Sequence, residues 1–339
     1  MSEFSWPIVL EQLLSGEGLR REEAHDAMAQ IMAGDASEAQ IAAFLVALRA
    51  KGETADEMTG FVDAMSETSL TVDVGEPVAD SVGTGGDRSG TFNISTTAAL
   101  IAAGAGVKVA KHGNRAASSN TGAADLLEGL GIDLEMSPER TGEMIRTVGF
   151  GFLFAPRYHP AMRHAGPARR TLGVRTVFNF LGPLTNPAGP RYLAVGTSAP
   201  EMAGLMLEVL KNRGAEAAFV FHGKDGLDEL TTTGPSTIHR LKDGEISVAE
   251  FTPEDFGVAR ATIDDLRGGD VAANVAITNR ILDGEAGAHR DITLVNAAAV
   301  IVAAGLADGF TEGVELAGEA IDSGDARALL DRAVEFSKR

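Results

Sequence analysis

The sequence predicts an α/β protein: a small N-terminal α-helical domain, then a larger α/β domain with a central, largely parallel sheet. Three observations carry this expectation. Residues 1 to about 72 read as capped, amphipathic helices. From Val78 onward, short apolar runs alternate with helical patterns, as in chained strand–helix–strand units. Two of those runs end in polar, glycine-bearing loops that lead directly into helices.

In the N-terminal region, Ser37-Glu38-Ala39-Gln40 and Thr54-Ala55-Asp56-Glu57 match the capping box. Ile41, Phe44, Leu45 and Leu48 follow the spacing of one buried helix face, and Gly52 supplies a stop. Nothing here offers catalytic chemistry; His25 is a lone histidine among helix formers. The turn from Asp73 to Pro77 ends the helical periodicity, which sets domains at 1–74 and 75–339.

The strand Val78 to Val82 runs into Gly83-Thr84-Gly85-Gly86-Asp87, and Thr91-Phe92-Asn93-Ile94-Ser95-Thr96-Thr97 then opens an alanine-rich helix to Gly106. Such glycines let backbone N–H groups approach a phosphate, and the helix start adds unpaired amides and the positive end of its dipole. The second unit repeats the logic. Strand Val107 to Ala110 leads into the loop Lys111-His112-Gly113-Asn114-Arg115-Ala116-Ala117-Ser118-Ser119-Asn120-Thr121-Gly122, and a helix follows from Ala123 to Leu130. Lys111 and Arg115 can neutralise phosphate, and Asn114 and the serines add donors. Neither a Walker A loop nor the dinucleotide glycine pattern is present. One glycine loop alone is an ordinary turn, but two in tandem point to a site for a polyanion.

Further on, Ser137 caps a helix from Pro138 to Val148, and Gly149 to Pro156 reads as a buried strand. The stretch from Tyr158 to Arg175 carries His159, His164, Arg163, Arg169 and Arg170. Its histidines, five apart, do not share a helix face as a metal pair at i, i+4 would. A rigid, proline-rich connection precedes strand Tyr192 to Gly196, helix Pro200 to Asn212 and strand Ala217 to Phe221. The last ends at His222-Gly223-Lys224-Asp225-Gly226-Leu227-Asp228-Glu229, whose adjacent carboxylates suit a hard cation such as Mg²⁺ or a solvated turn. Short β-like segments, Thr237 to Leu241 and Glu245 to Glu250, then give way to helices. Gly268 to Asn274 caps one, and the apolar Asp291 to Gly305 is expected to be buried.

Composition bounds the function. The chain has 339 residues, a net charge of −19 and no cysteine. Disulfides, thiolate metal sites and thiol nucleophiles are therefore excluded. The charge argues against nucleic-acid or anionic-membrane partners, which need an exposed basic footprint. No run is long and apolar enough to span a bilayer, and Met1 to Pro7 lacks a secretory pattern, so a cytoplasmic location is expected.

These motifs resemble the anthranilate phosphoribosyltransferases. The family's markers are the Gly-Thr-Gly-Gly-Asp loop at Gly83, the Thr-Phe-Asn-Ile-Ser-Thr helix start at Thr91 and the Lys-His-Gly-Asn-Arg loop at Lys111 with two serines after it. The likeness continues through Arg175 to Pro187 and Asp225 to Glu229. It implies transfer of a phosphoribosyl group from phosphoribosyl pyrophosphate to the amine of anthranilate, with release of pyrophosphate, in tryptophan biosynthesis. It also implies Mg²⁺, a homodimer, and a stretch near 165–190 folding back onto the helical domain. Carried over residue by residue, Gly83, Gly86, Asp87, Thr91, Asn93, Ile94, Ser95, Thr96, Lys111, His112, Gly113, Asn114, Arg115, Ala116, Ala117, Ser118 and Ser119 line the donor site. Ser95, Asp228 and Glu229 surround magnesium, and Gly83, Asn114 and Arg169 meet anthranilate. Ala123 stands where many relatives place a serine that touches the donor, so that contact is missing here or made by backbone. Two rival readings remain: a pyrimidine nucleoside phosphorylase, and a nucleic-acid-binding relative without transferase activity.

Overall fold

The computed structural model describes residues 4–116 and 121–339. The chain opens with α1 (Trp6–Leu14), α2 (Arg21–Ala33), α3 (Glu38–Lys51) and α4 (Ala55–Glu67). Both expected capping boxes form: Ser37 and Thr54 accept the N–H of the third helical residue, Gln40 and Glu57, whose side chains accept the cap N–H in return. The four apolar residues of the α3 face are buried, and Phe44 packs edge-on between Trp6 and Phe61.

The second region alternates as expected. β1 (Ala79–Gly83), α5 (Ile94–Gly104), β2 (Val109–Gly113), α6 (Ala123–Gly129), α7 (Pro138–Val148) and β3 (Phe150–Phe154) come first. The short α8 (Ala155–Tyr158), α9 (Gly166–Leu172) and α10 (Phe178–Leu181) precede β4 (Tyr192–Gly196), α11 (Ala203–Asn212) and β5 (Ala217–Gly223). β6 (Ser236–Lys242) and β7 (Glu245–Phe251) follow, then α12 (Val271–Leu282), α13 (Ala288–Ala303), α14 (Phe310–Asp322) and α15 (Asp325–Ser337).

The strands form one seven-stranded sheet in the order β3-β2-β1-β4-β5-β6-β7. The pairs from β3 to β5 are parallel, and β6 and β7 join antiparallel at one edge. The β6–β7 hairpin turns on Asp243-Gly244, both with positive φ (52° and 78°), the geometry that matches strand twist in a two-residue turn. Because the chain winds outward from β1 through β2 to β3 and from β4 to β5 the other way, the order reverses between β1 and β4. Such a reversal leaves a crevice at the C-terminal strand ends.

α13 is buried on all sides from Ile292 to Ala303, against α5, α14 and the sheet, which explains its lack of a polar face. α9 packs on α3 rather than on the sheet, and Ala165, Ala168 and Val177 share one apolar core with the N-terminal helices. The stretch from Ala165 to Leu184 thus bridges the helical region and the strand ends.

One boundary at the site differs from the sequence reading. β2 runs on through Lys111, His112 and Gly113, because parallel pairing with Phe150–Phe154 sets its length, not its local polarity. α5 begins at Ile94, so Ser95, Thr96 and Thr97 form its first turn, in keeping with the expected hydroxyl-rich helix start.

Candidate active site

The loops after β1, β2 and β5 converge at the sheet's C-terminal edge. β1 and β4 end side by side with Gly83 opposite Gly196, and the Asp228 segment crosses above them. A Cβ on Gly196 would lie 1.7 Å from the Asp228 carbonyl oxygen, and one on Gly83 would lie 2.5 Å from Asp228 Oδ2. Only glycine at both strand ends lets the acidic segment descend this far. Asp228 Oδ2 then accepts the Gly85 N–H at 2.6 Å. Asp225 shapes the approach: its carboxylate accepts the Leu227 N–H at 3.1 Å and the Thr231 hydroxyl at 2.5 Å.

Glu229 Oε1 accepts the Ser95 N–H at 3.2 Å, in the first turn of α5, where the helix dipole favours negative charge. Ser95, Asp228 and Glu229, named separately by the motifs, are thereby gathered in one place. Burial, and then the charge of Asp87, push Asp228 up to about 6. Burial and the neighbouring Asp228 hold Glu229 well above the usual carboxylate range. Lys111 is 1 % exposed, with its ammonium bonded to the Ser81 carbonyl, and burial lowers its pKa against the attraction of Asp80 and Glu229. It is a buried counter-charge beneath the site, not a loop side chain.

In the first loop, Asp87 Oδ2 accepts from Ser89 Oγ at 2.6 Å, and Ser89 Oγ lies 3.3 Å from the Thr91 hydroxyl. Asn93 caps α5 by position; its Nδ2 donates to the Thr121 carbonyl at 3.0 Å, while its buried Oδ1 has no partner among the described residues. Ile94 and Thr96, in the first turn of α5, are buried. Gly86 lies under Arg175, whose Nη2 donates to the Gly85 carbonyl at 3.1 Å and to Ser198 Oγ at 2.8 Å. Nothing local in the sequence marks Arg175 and Ser198 as holding this loop, although Arg175 opens the family-like stretch to Pro187.

The second loop is pinned at its ends by Asp125, whose Oδ2 accepts from Ala116 N–H at 3.1 Å and Gly122 N–H at 2.9 Å. Ala117, Ser118 and Ser119 lie outside the described residues. Arg115 is committed to Asp125 at 2.8 Å and Glu128 at 2.5 Å, so phosphate would compete with two carboxylates for it. Asn114 is exposed, its Oδ1 accepting the Arg115 N–H at 2.7 Å. Gly113 is flanked by Phe152 and Ala123; a Cβ on it would lie 3.2 Å from the Ala123 methyl.

His112 alternates with Lys111 along β2 and is buried on the other face. Its Nδ1 lies 3.2 Å from the Gly182 carbonyl and its ring is edge-on to His159, centroids 5.1 Å apart. Burial keeps both imidazoles neutral, lowering His112 to about 3 and His159 to about 4. His112 is thus a core residue beneath the loop. Arg169 on α9 is half-buried, its guanidinium 5.0 Å from the Phe178 ring centroid, with no carboxylate in ion-pair range among the described residues. Phe178 begins the segment that reaches Gly182, which connects Arg169 to the end of β2.

Comparison with known proteins matches the arrangement. A family model described as the glycosyl transferase family helical bundle domain covers residues 7–69, and the a/b domain of the same family covers 75–327. The anthranilate phosphoribosyltransferase of Solibacter usitatus is 51% identical over 331 residues, spanning 97% of each chain. The chain belongs to the anthranilate phosphoribosyltransferase family. A crystal structure of the family's member from Thermus thermophilus superposes with a TM-score of 0.93 at 46% identity, covering 98% of this chain and 99% of that one. The Saccharomyces cerevisiae anthranilate phosphoribosyltransferase, in a complex with PRPP and Mg, has a TM-score of 0.90 at 29% identity and covers 99% of each chain. In this chain the glycine loop after β1 and the acidic pair meet over Gly83 and Gly196.

Proposed function

We propose that this chain transfers the phosphoribosyl group of phosphoribosyl pyrophosphate to the amine of anthranilate, releasing pyrophosphate, as a step of tryptophan biosynthesis. The observation that carries this reading is the meeting of Asp228 and Glu229 with the β1 glycine loop and the α5 N-terminus. Backbone amides of the loop and helix start suit the phosphates of the donor. Gly83, Gly86, Asp87, Thr91, Asn93 to Thr96 and the Lys111 to Ser119 segment are the proposed donor site, with Lys111 acting from below as a fixed counter-charge.

The acidic pair fits Mg²⁺: the donors are hard oxygens, and burial holds both carboxylates above their usual pKa despite the nearby charges of Lys111 and Arg175, so a bound cation would relieve them. Asp228, Glu229 and Ser95 would hold the ion, which when bound neutralises charge on the departing pyrophosphate. The C–O bond to pyrophosphate breaks and a C–N bond to the acceptor forms, the amine losing its proton. An aromatic amine is already unprotonated near neutral pH, so the residues contribute positioning and electrostatics rather than covalent chemistry. Arg169 reads the anthranilate carboxylate in this account, and the lack of a carboxylate partner for its guanidinium among the described residues supports this.

The same reading divides the chain at 1–74 and 75–339, with part of 165–190 on the helical side, and holds it to be a cytoplasmic homodimer. No helix among the described residues is long and apolar enough to cross a membrane. Ile8 and Leu14 on α1 and Val46 on α3 are 64, 74 and 49 % exposed, apolar side chains that a second copy could cover. Loss of anthranilate fluorescence on incubation with phosphoribosyl pyrophosphate and Mg²⁺ tests the activity. No loss, with phosphorolysis of thymidine or uridine instead, would reassign the chain to the phosphorylase reading.

A further inference from the structure

Asn274 lies 2 % exposed in the first turn of α12, outside both loops and far from them in sequence. Its carboxamide nevertheless joins them. Oδ1 accepts the Asn93 N–H at 3.2 Å, at the mouth of α5. Nδ2 donates to the carbonyls of Gly269 at 2.8 Å and Asp270 at 2.9 Å, and approaches Thr121 Oγ1 at 3.3 Å, where the second loop ends. Asn93 Nδ2 in turn donates to the Thr121 carbonyl, so the three segments form one closed hydrogen-bonded ring. Gly268 permits the approach, since a Cβ there would lie 2.6 Å from Phe92 Cα and 2.9 Å from Asn274 Oδ1.

A helix cap needs none of this. Asp270 already caps α12 by accepting the Ala273 N–H at 2.9 Å. What the Asn274 carboxamide adds is a planar donor and acceptor that fix the exit of one anion loop against the helix start of the other. Aspartate would lose the donors, and an aliphatic side chain would lose both functions and strand buried polar groups.

We propose that Asn274 is a positioning residue for the phosphoribosyl donor, acting through Asn93 and Thr121 rather than by touching the substrate. The proposal rests on the function assigned above. Asn274→Ala raises the Michaelis constant for phosphoribosyl pyrophosphate about tenfold and leaves that for anthranilate within about twofold, since only the donor spans both loops. The control is Thr278→Val, one turn along α12, which removes the buried contact of Thr278 with Thr97 at 3.0 Å without touching either loop. Both variants lower thermal stability, but only Asn274→Ala produces the split and speeds amide exchange at Asn93 and at residues 121–127. An unchanged donor constant in Asn274→Ala, or an equal rise in Thr278→Val, overturns the proposal. Where alanine prevents folding, Asn274→Asp keeps the acceptor for Asn93, loses the donors, and is expected to show the same split at smaller size. If the unaltered protein shows no transfer, the functional reading falls. Calorimetric titration with pyrophosphate and Mg²⁺ then decides the positioning role: a tenfold loss of affinity supports it and equal affinity overturns it.

Discussion

Gly196→Ala places one methyl group where the acidic segment crosses the end of β4. The added Cβ would lie 1.7 Å from the Asp228 carbonyl oxygen, while Cβ atoms essentially never approach a heavy atom within 3.0 Å. The backbone at Asp228 must therefore withdraw by about 1.3 Å, the difference between those distances. That movement breaks the 2.6 Å bond from Gly85 to Asp228 and pulls Glu229 away from Ser95. A misplacement of about 1 Å costs on the order of a hundredfold in rate, whereas crowding by one methyl costs about 1–3 kcal/mol of stability. The expected result is a folded protein with kcat about a hundredfold lower and a higher Mg²⁺ requirement, read from anthranilate fluorescence across a magnesium series. Gly83→Ala meets only the Asp228 carboxylate, at 2.5 Å, which can swing aside, so its loss is smaller, roughly tenfold. Gly196→Ala with unchanged kcat and magnesium dependence would refute the idea that these glycines exist to admit the acidic segment.

Arg169→Ala is expected to raise the anthranilate Michaelis constant by roughly ten- to a hundredfold, because a charge-assisted bond to a carboxylate is worth about 1.5–3 kcal/mol; weakened donor binding with normal anthranilate binding would move Arg169 to the phosphate site. The double change Asp228→Ala and Glu229→Ala abolishes turnover while leaving circular dichroism unchanged, and full Mg²⁺-dependent activity in it would remove the metal assignment. A monomer in sedimentation at micromolar concentration would count against the homodimer. Acid stability follows from the neutral pair: His112 and His159, lowered to about 3 and about 4 in the folded chain, contribute stability that is complete above about pH 6.5 and is lost as pH falls towards those values. Asp80 and Asp228, raised to about 6, tilt the curve the other way, so the readout is the difference between chains. His159→Gln should remove about one proton's share, roughly 1.4 kcal/mol per pH unit, from the slope of denaturation free energy between pH 6 and 4; parallel slopes would contradict the buried-neutral assignment.

The helical region was legible because its signals are local. Ser37 and Thr54 bond to amides three residues away, as Ser137 does in the second region, and the sequence places those partners in view. The strands at Tyr192 and Ala217 and the loop after Gly83 were legible for the same reason. The end of β2 was not, since the pairing of Lys111 to Gly113 with Phe152 to Phe154 overrides a polar sequence that reads as loop. Alternation along that strand then sends Lys111 and His112 to opposite faces, which turns two expected loop residues into a buried counter-charge and a core imidazole. Arg115 reads from its charge as free for phosphate, and the sequence does not show that Asp125 and Glu128, ten and thirteen residues on, also pair with its guanidinium. Gly196 and Asn274 gave no local signal at all: each matters for a partner brought close only by the sheet order or by the packing of α12 on α6.

The most direct test of the account is a crystal structure of this chain soaked with phosphoribosyl pyrophosphate and Mg²⁺. The account predicts pyrophosphate between the Gly83–Thr91 loop and the start of α5, with a magnesium ion against Asp228 and Glu229. Pyrophosphate bound away from both loops, or magnesium with no contact to the acidic pair, would contradict it.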